Sequence, residues 1–181
     1  MKLRGKAWKF HGVIDVDWEI CPLEDAREVL SKYQQGELSE EEMVRALGKF
    51  CMTKVDPDFP TKVQPGDFLI GGEGMGYGHD HDHACVSIKG AGISAVLCEA
   101  AAGYFKRNSI HHGLPVIELQ GIMAAVEQGD ELELDLVSGK GTNISSGKSL
   151  QFQPWPQFLL DIIQAGGLYP HIGMNLSRKK G

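Results

Sequence analysis

The chain has 181 residues, of which 42% are hydrophobic and 23% are charged, and its formal net charge is -6. This composition is typical of a folded globular protein and excludes a largely disordered one. The acidic balance argues against a nucleic-acid partner, which usually needs a basic face. The first residues lack the apolar segment of a secretory signal, and no apolar run is long enough to span a membrane. We therefore expect a single cytoplasmic domain over residues 1–181.

The first half of the chain predicts one strand followed by two helices. The alternating segment KAWKFHGVIDVD predicts an opening strand. The segment LEDAREVLSKYQQG has apolar residues at helical spacing and ends on Gly36, which predicts the end of a helix. In the next segment, Ser39 and Glu42 have the spacing of a capping box and predict the start of a second helix.

The second half predicts strands that alternate with helices. FLIGG, ISAVLCE and LPVIEL read as short apolar strands, separated by helices in ACVSIKGAG and AAAGYFKRNSIHHG. This order predicts crossover connections and an α/β fold with a largely parallel core. The strictly alternating ELELDLVSG then predicts a half-exposed strand, and PQFLLDIIQAGG predicts a last amphipathic helix.

The four cysteines are predicted to be reduced and mostly buried. They show no CxxC spacing and no secretory context, so disulfides are not expected. The clustered spacing of an iron–sulfur site is also missing. The cysteines are Cys21, Cys51, Cys85 and Cys98.

The segment Gly71–Ala84, GGEGMGYGHDHDHA, is the main candidate for chemistry. Its glycine spacing does not match the dinucleotide fingerprint, and no Lys-Ser/Thr pair follows to complete a phosphate loop. Nucleotide binding is therefore disfavoured. The glycines still allow the backbone to approach a ligand closely, and the helix that follows directs its free N–H groups toward the loop, where they favour an anion.

The histidines of this segment permit two interpretations. His79, His81 and His83 alternate with Asp80 and Asp82. In an extended segment the three imidazoles would share one face, and three imidazoles with an open fourth position suit catalytic zinc. The other interpretation is a polar loop in which one histidine caps the following helix.

Three segments, in this order, resemble the small subunit of 3-isopropylmalate dehydratase, a family similar to the C-terminal swivelling domain of aconitase. The resemblance spans nearly the whole chain and implies an α/β fold of the swivelling β/β/α type. It also implies a large-subunit partner that holds a [4Fe–4S] cluster, with no cluster on this chain, and a small hydroxy-carboxylic acid as substrate. The segments are PGDFLIGGEGMGYG with the following HA, GISAVLCEAAAGYFKRNSIHHGLPVIEL, and FLLDIIQAGGL.

The signature residues of that family are exchanged in this chain. The family loop reads GENFGCG and then SSREHA, so His79 and Asp80 replace two serines and His81 replaces an arginine. In the family the first serine removes a proton α to a carboxylate, and the arginine binds a substrate carboxylate. The resemblance thus places catalytic residues at His79, Asp80 and His81, and substrate-binding residues at Asp15, Asp17, Gly76, Gly78 and His83.

These exchanges predict a hydro-lyase small subunit with altered substrate specificity. His79 would act as the base, oriented by Asp80 or Asp82, and His81 would be a weaker carboxylate clamp than arginine. Residues 23–50, where the family recognises the side group of its substrate, are predicted to form a helical insertion. The alternative hypothesis is a non-catalytic or metal-binding paralogue with a metal on His79, His81 and His83.

Other residues are interpreted more simply. His111 and His112 precede Gly113 and are expected to stabilise the C-terminal end of a helix. Trp8 and Trp155 are expected in the core or at an interface. Trp18 is the tryptophan expected near the site, because it lies beside the two aspartates.

Overall fold

Two β-sheets organise the part of the chain that the computed structural model describes, residues 1–178, with side chains given for residues 1–174. The larger sheet has seven strands and the smaller one has two. In chain order the strands are β1 (Lys2–Lys9), β2 (Val13–Asp15), β3 (Phe68–Gly71), β4 (Gly74–Tyr77), β5 (Ala95–Cys98), β6 (Val116–Glu118), β7 (Glu131–Asp135), β8 (Lys140–Asn143) and β9 (Ser149–Gln151).

Helices connect and cover these strands. A short π-helical turn, Val16–Ile20, follows β2 directly. None of the helices within residues 1–178 has the length and apolar character needed to cross a membrane. In chain order the α-helices are α1 (Leu23–Gln34), α2 (Glu40–Gly48), α3 (Phe59–Lys62), α4 (His83–Gly90), α5 (Gly103–His111), α6 (Ile122–Ala125), α7 (Gln157–Gln164) and α8 (Leu168–Arg178).

The larger sheet is parallel on one side and antiparallel on the other, in the order β6-β5-β3-β1-β7-β8-β9. The strands β6, β5, β3 and β1 are parallel, and β7, β8 and β9 continue the sheet in antiparallel pairs. Strands β3 and β5 are buried at every residue, as expected for parallel strands with both faces covered. Strand β7 alternates between buried and half-buried residues, as its sequence predicts.

The prediction of one continuous opening strand is wrong. The segment divides into β1 in the larger sheet and β2 in the smaller one. Gly12, between the two strands, has φ of 85°, a conformation that glycine adopts without steric cost. The strand β1 also begins earlier than predicted, because Lys2 to Lys6 pair with β7.

The two helices predicted in residues 23–50 are present as α1 and α2. The capping box of α2 is confirmed, because Ser39 accepts a hydrogen bond from the backbone of Glu42 at 3.3 Å and the Glu42 carboxylate accepts one from the backbone of Ser39 at 2.8 Å. Helix α2 packs against α4. The helical segment therefore lies beside the helix that begins at His83.

The larger sheet separates two apolar cores. Along β3, Phe68 and Ile70 belong to one core and Leu69 belongs to the other. All three side chains are fully buried, and burial of such a side chain stabilises the fold by about 1.5–3 kcal/mol relative to exposure. The strand is thereby fixed from both faces. Its carboxyl end, where the glycine segment begins, is held in a defined position.

Candidate active site

The smaller sheet brings two polar segments together. The glycine segment, expected as a loop, contains the strand β4, which pairs with β2 in parallel register from Val13 opposite Gly74 to Asp15 opposite Tyr77. Because β2 and β4 are parallel neighbours, their carboxyl ends lie side by side. The π-helical turn that follows β2 therefore meets the histidine segment that follows β4.

The carboxylate of Asp15 shapes the π-helical turn. It accepts hydrogen bonds from the backbone N–H groups of Asp17 at 2.8 Å and Trp18 at 3.1 Å. The backbone N–H of Asp15 in turn donates to the carboxylate of Glu19 at 2.8 Å. These bonds satisfy N–H groups at the start of the turn and fix the directions of the Asp17 and Trp18 side chains.

Asp17 is the centre of the histidine cluster. Its Oδ2 lies 2.9 Å from Nδ1 of His79, and its Oδ1 is hydrogen-bonded to Nδ1 of His81 at 2.9 Å. Nε2 of His83 lies 3.7 Å from the same Oδ1. The rings of His79 and His81 stack with centroids 5.3 Å apart. The three imidazoles therefore share one face, as the alternating pattern predicts for an extended segment.

The acceptors around the rings define their protonated nitrogens. A carboxylate only accepts hydrogen bonds, so Nδ1 of His81 donates to Asp17 and, in the neutral ring, Nε2 keeps its lone pair. A carbonyl likewise only accepts, so Nε2 of His83 donates to the carbonyl of Cys21 at 3.0 Å. The side chain of His83 is 3% exposed, whereas that of His79 is 75% exposed. His83 anchors the loop to the core, and His79 faces outward.

The carboxylate that lies against the His79 ring is that of Asp17, which is not one of the two aspartates of the histidine segment. Asp80 meets Asn108 through its backbone carbonyl, which accepts from Nδ2 at 2.7 Å. Asp82 pairs with Nε2 of His112 at 3.0 Å, and this hydrogen bond holds the pKa of the Asp82 carboxyl below its usual value. Neither contact involves His79, so an orienting role for Asp80 or Asp82 stays a prediction, and the carboxylate beside the His79 ring is that of Asp17. Asp17 was missed in this role because it is far from the histidines in sequence.

The two glycines predicted to bind substrate lie in different surroundings. Gly78 has φ of 98°, and a Cβ atom there would collide with the carboxylate of Asp15. Gly76 has φ of 69°, and a Cβ atom there would collide with the ring of Phe105. Gly78 therefore allows the loop to pass close to Asp15, while Gly76 lies against the core.

A cleft of about 420 Å³ opens beside the histidine cluster. Its lining has a polar part, which contains Asp17 and His79, and an apolar part formed by Trp18, Pro22 and Leu23, here called the apolar wall. The side chain of Trp18 in the apolar wall is well exposed, at 62%. Of the predicted substrate-binding residues, Asp15, Asp17 and Gly78 line the cleft, whereas Gly76 and His83 do not. The lining residues are Asp15, Asp17, Trp18, Pro22, Leu23, Glu24, Gly78 and His79.

The set of candidate metal ligands also differs from the predicted one. One nitrogen of His79, one of His81 and one carboxylate oxygen of Asp17 all lie within 4.8 Å of one another. Within the described residues, these form the one group of three or more such side chains that fits a metal ion. Asp17 takes the place of His83 in this set, because Nε2 of His83 donates to the carbonyl of Cys21 in the protein interior.

The state of the cysteines is as the sequence predicts. All four are free and buried, as predicted. Burial raises the pKa of Cys21, Cys85 and Cys98 to about 12, and it also raises the pKa of Cys51. Without a bound metal, their thiols are therefore protonated near neutral pH.

Similar proteins are dehydratase and isomerase small subunits. The isopropylmalate/citramalate isomerase small subunit of Methanocaldococcus jannaschii is 40% identical over 178 residues, which cover 98% of each chain. The 3-isopropylmalate dehydratase small subunit of Thermodesulfovibrio yellowstonii is 38% identical over 93% of this chain and 92% of that one. The 2,3-dimethylmalate dehydratase small subunit of Eubacterium barkeri is 40% identical over 70% of this chain and 77% of that one. No family model matches the chain.

A solved structure shares the fold. The crystal structure of 3-isopropylmalate dehydratase from Methanocaldococcus jannaschii superposes with a TM-score of 0.83 over 100% of both chains, at 29% sequence identity. The predicted α/β fold of the swivelling type is thereby confirmed.

Proposed function

Since the chain belongs to the family of 3-isopropylmalate dehydratase small subunits, we propose that it is the small subunit of a hydro-lyase acting on a hydroxy-carboxylic acid. The partner is a separate large subunit, as the small-subunit names of its relatives imply. That subunit would hold the [4Fe–4S] cluster, which supplies a Lewis acid for the departing hydroxyl group. The present chain would supply the groups that bind the substrate and move its proton.

The observation that carries the proposal is the Asp17–His79 contact at the mouth of the cleft. Dehydration needs a base at the carbon next to a carboxylate, and an imidazole accepts a proton near neutral pH more readily than a serine hydroxyl. Nδ1 of His79 lies 2.9 Å from Asp17, and its ring lines the cleft. In the proposed mechanism the His79 ring places its Nδ1–H on this carboxylate, as in other carboxylate–histidine pairs, and Nε2 is left to take the proton.

His81 and Asp80 complete the proposed catalytic group. When His81 is protonated, Nδ1–H stays on Asp17 and Nε2–H donates to a substrate carboxylate, which is the task of the arginine in the family. One imidazole donor replaces a planar, two-pronged guanidinium, so the carboxylate is held differently. The carboxylate of Asp80 makes no hydrogen bond within residues 1–174 and so is available to the substrate or the large subunit.

The walls of the cleft support an alkyl-substituted substrate. Trp18, Pro22 and Leu23 contribute apolar surface to the cleft, and apolar surface favours an alkyl side group over a charged one. We therefore propose a 2-hydroxy dicarboxylate of the malate type with a small alkyl substituent. The names of three relatives, which refer to isopropylmalate, citramalate and 2,3-dimethylmalate, agree with this class.

The test is reconstitution of the complex. The chain is co-purified with its large subunit under anaerobic conditions, the iron and sulfide contents are measured, and alkyl malates are assayed for dehydration against malate and a tricarboxylic hydroxy acid. We expect turnover of an alkyl malate that neither subunit shows alone. A stable complex with an intact cluster and no turnover on the whole panel would contradict the proposal and favour the non-catalytic alternative.

A further inference from the structure

The donor atoms around Asp17 also suit a metal ion. We propose that Asp17, His79 and His81 bind one divalent transition-metal ion of the zinc type, and that this ion prevents the imidazoles from accepting a proton. The first part concerns the isolated chain and does not depend on catalysis. The second part rests on the proposed function, because it assigns the ion an inhibitory effect on the hydro-lyase.

The spacing of the donors matches a shared ion. Nδ1 of His79 and Nδ1 of His81 each lie 2.9 Å from an oxygen of Asp17, and one donor atom from each of the three residues lies within 4.8 Å of the others. Two ligands that are each about 2.1 Å from one ion lie about 3–3.5 Å apart. The three side chains thus need only small rotations to converge on one ion.

The donor types select the ion. Two imidazoles with one carboxylate are typical ligands of zinc and of ferrous, cobalt or nickel ions, whereas magnesium and calcium prefer oxygen donors. Three protein ligands leave at least one coordination position for water or another ligand. The side chains of His79 and His81 are 75% and 45% exposed, so the remaining positions face solvent.

The surroundings favour a cation and hold the ligands in place. Within residues 1–174, every ion-pair partner of Asp17 is an imidazole, so no lysine or arginine occupies the cluster. Asp15 fixes the backbone of Asp17 through the hydrogen bond of 2.8 Å, and the buried His83 fixes the end of the histidine segment. Such outer contacts orient metal ligands before the ion arrives.

The ion and the proton compete for the same groups. A ring bound to the ion through Nδ1 carries its hydrogen on Nε2, so it has no lone pair left to act as a base. A bound ion therefore takes both the orienting carboxylate of Asp17 and the base of His79. The metal-free chain is the form competent for proton transfer, and the metal-bound chain is inactive in that step.

The binding test titrates Zn²⁺ into the full chain, purified without a histidine tag, by calorimetry. We expect one ion per chain and no measurable heat with Mg²⁺. Loss of a second-shell contact typically weakens metal binding about 10–100-fold, so Asp17→Asn and His81→Ala should each weaken it by more than that. His11→Ala is the matched control, since His11 is an exposed histidine outside the cluster. Zinc binding that is absent, or unchanged in both cluster variants, would overturn the site.

The competition test loads the isolated chain with one equivalent of Zn²⁺, removes the excess, and adds the large subunit. Turnover should fall in proportion to the fraction loaded and return when the chain is stripped of zinc before mixing, so that no chelator meets the cluster. Full turnover by the loaded complex would overturn the inhibitory role. If the complex has no activity in any form, the proposed function fails, while the calorimetric result still decides the metal site.

Discussion

Two aspartates, one at the amino end of strand β3 and one at the carboxyl end of strand β2, have opposite roles. Asp67 lies immediately before β3 and is 4% exposed, and it accepts hydrogen bonds from the backbone N–H groups of Lys6 and Gln64 and from the indole N–H of Trp8, all at 2.9 Å. Asp17 follows the carboxyl end of β2 with its side chain 12% exposed, and its side-chain partners are imidazoles. Both carboxylates are nearly covered, and both contact several donors.

The difference between these two ends lies in the donors. Amide and indole N–H groups keep their protons at physiological pH. The bonds to Asp67 therefore hold β1, β3 and the preceding loop together and take no part in proton transfer. Each imidazole at Asp17 has a second nitrogen that can gain or lose a proton. The same type of side chain therefore stabilises the fold at the amino end of β3 and is placed to support chemistry at the carboxyl end of β2.

The largest expected effect is on activity at the carboxyl end. His79→Ala removes the proposed base and should lower kcat/KM of the reconstituted complex by about 100- to 10,000-fold. Because the side chain is 75% exposed, the free energy of unfolding should change by less than about 0.5 kcal/mol. Steady-state kinetics and urea unfolding measure the two effects, with His11→Ala as the control. Near-normal turnover by the variant would exclude His79 as the base.

Substitution of Asp67, at the amino end of β3, should lower stability and leave turnover nearly unchanged. Asp67→Ala leaves three donors without their acceptor inside the protein, and each such loss costs about 1–3 kcal/mol, so the free energy of unfolding should fall by at least about 3 kcal/mol. Asp67→Asn keeps an oxygen acceptor and should cost less. At temperatures where the variant stays folded, kcat/KM of the complex should be close to normal. A stable variant with lost turnover would show that the two ends are not separable.

The sequence predicted the fold better than it predicted the site. The apolar strands β3 and β5 and the capping box of α2 follow from local patterns, and the structure contains them. The strand β4 was missed, because a glycine-rich segment has little intrinsic preference for a strand and pairs with β2 only in the folded chain. Local pattern describes elements, but long-range pairing decides which of them meet.

The same limit explains the missed role of Asp17. Asp80 and Asp82 are adjacent to the histidines in sequence, but their contacts lie elsewhere. The backbone carbonyl of Asp80 is bonded to Asn108, and the carboxylate of Asp82 is bonded to His112. Asp17 is 64 residues from His81 and reaches it only because β2 and β4 are neighbours. Resemblance to a family placed Asp17 at the site as a substrate ligand. The contact with the imidazoles required the structure.

A third variant tests whether the site needs the close approach of Gly78 to the carboxylate of Asp15. Gly78→Ala introduces a Cβ atom that collides with the carboxylate of Asp15, at a residue whose φ is 98°. The strained backbone should cost about 1–2 kcal/mol of stability, and the shifted loop should also lower kcat. Gly36→Ala is a control for strain alone, because its φ is 75° and a Cβ atom there meets no neighbour. Equal kinetics in the two variants would contradict a role for the Gly78–Asp15 approach in the site.

The smallest effect concerns recognition at the apolar wall of the cleft. Trp18→Ala removes a large surface from the side-group region without touching the histidines, so kcat/KM for an alkyl malate should fall about tenfold relative to malate itself. Co-elution with the large subunit is the necessary control, because a side chain that is 62% exposed is also placed to contact a partner. If turnover of both substrates falls equally and the complex dissociates, Trp18 belongs to the subunit interface. An unequal fall with an intact complex assigns it to the substrate.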